Sequence, residues 1–112
     1  MKISMVFILA VALLVASFWG VDQGNCDSAR GQTVFNDKCA LCHGADGSGN
    51  GPAAASLTPP PADFNSASFW QNMSNAKITN TIENGHGSMP ALNLSSGDIK
   101  AVIGYMRGTF QP

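Results

Sequence analysis

The chain has 112 residues, with six lysines and arginines against seven aspartates and glutamates and a formal net charge of −1. This length is enough for one domain and not comfortably for two. The sequence has no basic stripe interleaved with aromatic residues, which argues against nucleic acid as a partner.

Residues 1–20 differ from the rest of the chain. Lys2 precedes a nearly uninterrupted apolar run that closes with Phe18 and Trp19. A basic residue followed by such a run matches a secretory signal peptide. The run is also close to the ~17 apolar residues that a membrane-spanning helix needs, so a retained N-terminal membrane anchor is the alternative. Both place the remaining chain in the periplasm or another extracytoplasmic space, either soluble after cleavage or tethered to the inner membrane.

Residues 21–30 are polar and predict a short tether, which separates the N-terminal segment from a domain of residues 31–112. The tether contains Cys26. The residues before it lack the small side chains expected ahead of a lipidated cysteine, so a free or intermolecularly paired thiol is favoured over a lipid anchor.

The first helix is predicted over residues 31–41. Val34, Phe35, Lys38 and Leu41 fall at helix-like intervals there, and no proline interrupts them. Gly44 is predicted to end this helix as a left-handed cap.

The run Cys39-Ala40-Leu41-Cys42-His43 has the C-x-x-C-H spacing of a covalent c-type haem attachment site in an exported chain. Two thiols three residues apart lie on one side of a helical turn, where each can add to one vinyl group of the same porphyrin. His43 then lies beneath the ring, where an imidazole nitrogen can reach the iron. The motif predicts a bound redox centre and indicates electron transfer.

Glycines and prolines predict loop structure through the middle of the chain. Short turns are expected over residues 53–57 and 63–70, on either side of three consecutive prolines at 59–61. The second turn presents three aromatic side chains, Phe64, Phe69 and Trp70.

Two more helices follow. Ser74 is a suitable N-cap for a helix through Asn84 that is ended by Gly85. The last helix opens at Ser95, with Asp98 at capping-box spacing. The apolar positions of these helices recur at helical intervals: Ile78 and Ile82 in the first, and Ile99, Val102, Ile103 and Met106 in the second, with Tyr105 beside them.

These elements predict an all-α domain of three to four short helices and long loops, with no strand pattern and no internal repeat. Long loops are unusual in so small a domain unless they wrap another object. A covalently bound haem is such an object.

An iron with one histidine needs a second axial ligand or keeps an open site. The candidates are Met73, Met89, Met106 and His86. Met106 lies on the apolar stripe of the last helix, where core packing explains it. Met89 lies in a loop before Pro90, a poor position for filling a helix interface, and it is the favoured iron ligand.

From about residue 31 to residue 110 the chain resembles a class I c-type cytochrome, of the small bacterial kind with one haem. The resemblance rests on the attachment run, the glycine-rich segment 45–52, the segment 82–90 and the closing helix through Tyr105. It implies haem thioethers at Cys39 and Cys42, with His43 below the iron and Met89 above it. It also implies a crossing of the first and last helices at Gly31, Phe35 and Tyr105.

The expected function is a one-electron carrier that shuttles electrons between redox partner proteins and is not a stand-alone enzyme. Three alternatives remain open: a haem protein that binds a gas or reduces peroxide, a thiol–disulfide enzyme, and a zinc domain built on Cys26, Cys39, Cys42 and His86. Trp70 and Asn72 are candidates for holding the haem propionates, with a core role for Trp70 equally open.

Overall fold

The computed structural model describes residues 23–112, and their side chains from Asp27 onward. The predicted signal peptide or anchor at residues 1–20 and the side chain of Cys26 lie outside the described part. The described residues form five helices: α1 (Gln23–Lys38), α2 (Ala40–His43), α3 (Ala67–Asn72), α4 (Asn75–Asn84) and α5 (Ser96–Phe110). A 3-10 turn covers Ala54–Ser56, and the described residues contain no strand. The all-α prediction is confirmed.

The first helix begins earlier than the sequence pattern predicts. The chain is already helical at Gln23, the first described residue, instead of from residue 31, so the described part of the expected tether is helical. The side chains of residues 27–30 are exposed. An exposed helical turn carries no apolar stripe, and hydrophobic periodicity therefore does not detect it. The described residues form one helix more than predicted. The extra helix arises because the helical conformation is interrupted at Cys39, which separates α1 from the single turn of α2.

The helices α1 and α5 cross at a close contact. A methyl group at Gly31 would collide with the backbone oxygen of Ala101 and lie 2.7 Å from Cβ of Tyr105. The Phe35 side chain is completely buried, and its ring centroid lies 5.7 Å from that of Tyr105. The expected contact of Gly31 and Phe35 with Tyr105 is therefore present in the structure.

Serine side chains cap α4 and α5 as the sequence predicts. Ser74 Oγ accepts from the Lys77 backbone N–H at 3.2 Å, and Ser95 Oγ accepts from that of Asp98 at 3.1 Å. The Asp98 carboxylate is engaged elsewhere, because Arg30 Nε donates to its Oδ1 at 2.6 Å. This ion pair joins α1 to the start of α5. Both groups are partly exposed, so it contributes at most about 1 kcal/mol.

One hydrophobic core joins the helices and the loop before α3. Trp70 belongs to this core, and its indole Nε1–H donates to the Phe64 carbonyl at 2.7 Å. Cys39 and Met89 are half-buried and pack against the same core. The buried members are Phe35, Phe64, Trp70, Ile78, Ile82, Ile99, Val102, Ile103, Met106 and Phe110. Among residues 23–112, no helix is long and apolar enough to cross a bilayer.

Candidate functional site

The attachment run forms one tight turn after α1. The Cys39 carbonyl accepts from the backbone N–H of Cys42 at 3.2 Å and from that of His43 at 2.9 Å. The thiols of Cys39 and Cys42 are free and half-buried. Leu41, between them, is 62% exposed. The turn therefore fixes the spacing of two thiols and leaves the outer side of the run open to solvent.

The pKa of the Cys39 thiol is raised to about 11, first by burial and second by the neighbouring Cys42. Cys39 is consequently protonated at neutral pH. Thiol–disulfide enzymes need the opposite, a thiolate stabilised by a lowered pKa. The Cys39 thiol is thus poorly suited to redox exchange with substrate thiols.

His43 is held with one ring nitrogen occupied. Its Nδ1 lies 3.2 Å from the Ala62 carbonyl oxygen, which can only accept, so Nδ1 carries the proton. Nε2 then has a free lone pair for a metal, as in histidines that ligate through one nitrogen while the other donates to a carbonyl. Burial lowers the pKa of His43, opposed by the weaker effect of the Ala62 hydrogen bond. The neutral, ligating form is therefore favoured.

A second contact covers the face of the imidazole. The rings of His43 and Phe64 are stacked, with centroids 4.4 Å apart and planes inclined by 20°. Phe64 itself is 5% exposed and lies within the aromatic part of the core.

The segment of residues 44–66, called here the proximal loop, is fastened to the attachment turn through backbone groups. The N–H groups of Gly49, Gly51 and Ala53 donate to the carbonyls of His43, Cys42 and Leu41 at 2.7, 3.0 and 2.9 Å. These carbonyls belong to the end of α2, which has no further helical turn to accept from. The proximal loop thus replaces the missing turn.

The segment of residues 85–94, called here the distal loop, presents Met89. His86 and Met89 exchange two backbone hydrogen bonds, of 3.0 and 2.9 Å, which close a tight turn. The His86 side chain is exposed, whereas Met89 packs against the core. Ser88 Oγ donates to the Pro59 carbonyl of the proximal loop at 3.2 Å.

The other candidate side chains have different surroundings. Met106 is buried in the core, as its place on the apolar stripe predicts. Met73 is half-buried at the end of α3, and its carbonyl accepts from Arg107. The donor groups of Trp70 and Asn72 bind the carbonyls of Phe64 and Ser68, at 2.7 and 2.8 Å. Trp70 is buried in the core, which is one of the two roles left open for it, and the propionate role stays a prediction for Trp70 and Asn72.

The donor set fits a covalently held haem. The chain offers two free thiols one turn apart, a neutral imidazole with Nε2 available, and a thioether against the same core as Cys39. The side chains of residues 27–112 include no group of three or more His, Cys, Asp or Glu residues placed to hold a metal ion.

The contacts that orient His43 were not found from the sequence. Ala62 acts through its backbone carbonyl, which no residue type signals, and the sequence predicts Phe64 only as an aromatic side chain presented by a turn. Both lie about twenty residues beyond His43, across a loop without periodicity. The one available signal was the proline run at 59–61, which restricts the path of the chain immediately before Ala62.

Comparisons with known proteins agree on one family. The family model described as cytochrome C oxidase, cbb3-type, subunit III, matches residues 27–106. The cbb3-type cytochrome c oxidase subunit CcoP of Cereibacter sphaeroides is 34% identical over 92 residues, which cover 80% of this chain and 30% of that protein. Cytochrome c-550 of Virgibacillus halodenitrificans is 59% identical over 29 residues, or 26% of this chain and 83% of that protein.

A solved structure shows the same fold. A chain from the Kuenenia stuttgartiensis reducing HAO-like protein complex Kustc0457/Kustc0458 matches with a TM-score of 0.59 at 21% identity. The match covers 71% of this chain and 41% of that one. This chain therefore spans less than half the length of both CcoP and the solved neighbour.

Proposed function

Because the chain belongs to the cytochrome c family described as cytochrome c oxidase, cbb3-type, subunit III, we propose that it is a one-electron carrier with one haem c. The resemblance to a c-type cytochrome is confirmed by this membership. Cys39 and Cys42 would hold the haem through thioether bonds, and His43 and Met89 would be its axial ligands.

The observation that best supports the proposal is the arrangement of two thiols and one imidazole in the attachment turn, residues 39–43. Two free thiols lie beside a histidine whose Nδ1 already donates to the Ala62 carbonyl. Only Nε2 is left to bind a metal, and burial keeps the ring neutral. Met89 is the thioether that the distal loop directs to the core while His86 faces solvent.

When bound, the haem supplies reversible one-electron exchange between ferric and ferrous iron. The side chains of this protein would determine whether the haem can also bind oxygen or peroxide. His43 and Met89 would together hold the iron, and oxygen or peroxide would then find no open position on it. The thioether of Met89 favours the ferrous state and raises the reduction potential. The domain would therefore transfer electrons and would not act as a stand-alone catalyst.

Redox partner proteins and an extracytoplasmic, membrane-associated location are part of the proposal. They are supported by the relative named as an oxidase subunit and by the N-terminal apolar run. We propose that residues 1–20 are either a cleaved signal peptide or an inner-membrane anchor ahead of the domain of residues 31–112. Mass analysis of the native protein distinguishes the two and counts the haems.

The test of the ligand assignment is Met89→Ala in the matured, oxidised protein. We expect the weak near-infrared sulfur-to-iron band to disappear and the potential to fall by a sizeable part of the roughly 0.8 V that axial ligands span. Met73→Ala, the matched control, should keep both. The reduced wild-type protein should show no Soret shift with carbon monoxide.

Three results would contradict the proposal. An unchanged band in Met89→Ala would move the ligand role to another residue. A Soret shift of the wild type with carbon monoxide would indicate a ligand-binding haem. A matured sample without colour would exclude the haem itself.

A further inference from the structure

We infer that Phe64 is a positioning residue that sets the orientation of the His43 imidazole relative to the porphyrin. The inference rests on the proposed ligation of iron by His43 and concerns what fixes the plane of that ligand.

Two contacts restrain the imidazole in complementary directions. The hydrogen bond from Nδ1 to the Ala62 carbonyl, at 3.2 Å, lies at the edge of the ring and determines where that edge points. The stacked Phe64 ring, 4.4 Å away and inclined by 20°, covers a face and opposes tilting of the ring toward it. A hydrogen bond alone tolerates rotation about its own axis, so the stacked ring supplies the missing restraint.

Phe64 is rigid enough to act as a reference for another ring. Its N–H donates to the Gly47 carbonyl at 2.7 Å, and its carbonyl accepts from Trp70 Nε1 at 2.7 Å. Its side chain is 5% exposed and packs against Phe69 and Phe110, with ring centroids 5.0 and 6.3 Å away. The orientation of the imidazole is therefore tied to the aromatic core.

The plane of an axial imidazole has a direct electronic consequence. Its π orbital overlaps best with the iron d orbital that lies perpendicular to the ring. In low-spin ferric iron, this overlap decides how unpaired spin is spread over the porphyrin. The shifts of the four haem methyl groups in proton NMR report this distribution, and a change in general stability alone does not alter it.

The experiment replaces the ring with an aliphatic side chain of similar size. We expect Phe64→Leu, purified as oxidised holoprotein, to change the spread of the haem methyl shifts and the g-values in electron paramagnetic resonance. Phe64→Met is the second variant and also lacks a planar face, so either matured protein tests the inference. The near-infrared band of Met89 should persist in both.

Phe69→Leu is the matched control. Phe69 packs against Phe64 and Trp70 at 5.0 and 4.9 Å, and Phe64 is the ring that stacks on His43 among the described residues. Because Phe69 acts on His43 only through Phe64, Phe69→Leu should change the methyl pattern clearly less than either Phe64 variant does. A wild-type pattern in both Phe64 variants, or an equal change in Phe69→Leu, would overturn the inference. A wild-type protein lacking low-spin ferric signals would instead overturn the proposed axial ligation, before any substitution.

Discussion

The proximal loop contacts His43, at the end of α2, through Ala62 and Phe64, whereas the distal loop presents Met89, and the two loops are held in different ways. Three consecutive carbonyls at the end of α2 accept from the proximal loop, and the Phe64 N–H closes that loop on Gly47. The main hydrogen bonds of the distal loop are local, between His86 and Met89. It is joined to the rest of the protein by the bonds from the Gly85 and Leu92 N–H groups to the Thr81 and Ile82 carbonyls, both at 2.8 Å, and by the Ser88 hydroxyl.

Because of this difference, opening the proximal loop should affect the stability of the whole domain, whereas opening the distal loop should be a local event. The proximal loop shares its hydrogen bonds with the attachment turn and its aromatic ring with the core, so it cannot open without disturbing both. The distal loop can open by losing the Leu92 and Ser88 hydrogen bonds and the packing of its half-buried apolar side chains on the core, without disturbing the attachment turn. Regions with few buried contacts open at lower free energy than the whole domain unfolds. We therefore expect that breaking the proposed bond between the iron and the Met89 sulfur costs less free energy than unfolding the whole domain.

The largest expected effect is that of Gly51→Ala in the proximal loop. The added methyl would collide with the Leu41 carbonyl and lie 2.6 Å from the Ala40 carbonyl oxygen. These are backbone atoms of the attachment turn, which cannot rotate away. We expect a loss of about 3 kcal/mol in the free energy of unfolding, at the upper end for overpacking. Denaturant titration of the holoprotein measures it.

Gly104→Ala is the control for that substitution. Gly104 lies in α5, and a methyl there meets no atom within 4 Å. Alanine should stabilise the helix by roughly 0.5–1 kcal/mol because it restricts the unfolded chain. Equal stability losses in the two variants would show that the proximal loop is not fastened as described.

Much of the helical framework could be predicted from the sequence, because its signals are local. The caps at Ser74 and Ser95 follow from residue type and position, and the stripe from Ile99 to Met106 follows from periodicity. The attachment run also has a fixed spacing. Each of these features spans a few residues, so no knowledge of the path of the chain is needed.

The parts that could not be predicted depend on the path of the loops. The bond from His43 to Ala62 joins residues 19 apart, and that from Ser88 to Pro59 joins residues 29 apart. No periodicity runs through either connection. The sequence does not indicate the helical residues before 31 for another reason, because the first described side chains of α1 are exposed and leave no apolar stripe.

The second prediction applies a similar backbone clash to the distal loop. Gly85 has φ of 78°, and a methyl there would lie 2.7 Å from the Met89 carbonyl oxygen and 2.9 Å from the Ala91 nitrogen. We expect Gly85→Ala to cost about 2 kcal/mol in local strain. The loop can relieve this strain by opening, so the near-infrared band should weaken while the denaturation midpoint falls less than in Gly51→Ala.

Gly108→Ala, in open space on α5, is the control and should leave the band unchanged. If Gly85→Ala lowered the denaturation midpoint as far as Gly51→Ala and kept a full band, the two loops would be equally integrated into the fold. The contrast between them would then be wrong.

The smallest expected effect is that of Ser88→Ala, which removes the hydroxyl that binds the Pro59 carbonyl at 3.2 Å. Under the proposed ligation, added imidazole would have to displace Met89 and open the distal loop in order to bind ferric iron. Loss of one hydrogen bond, about 0.5–1.5 kcal/mol, should raise the affinity for imidazole roughly 2- to 12-fold. Ser68→Ala removes a hydroxyl that pairs with Ser66 and should leave that affinity unchanged. Equal affinities in Ser88→Ala and the wild type would mean that other contacts keep the distal loop closed.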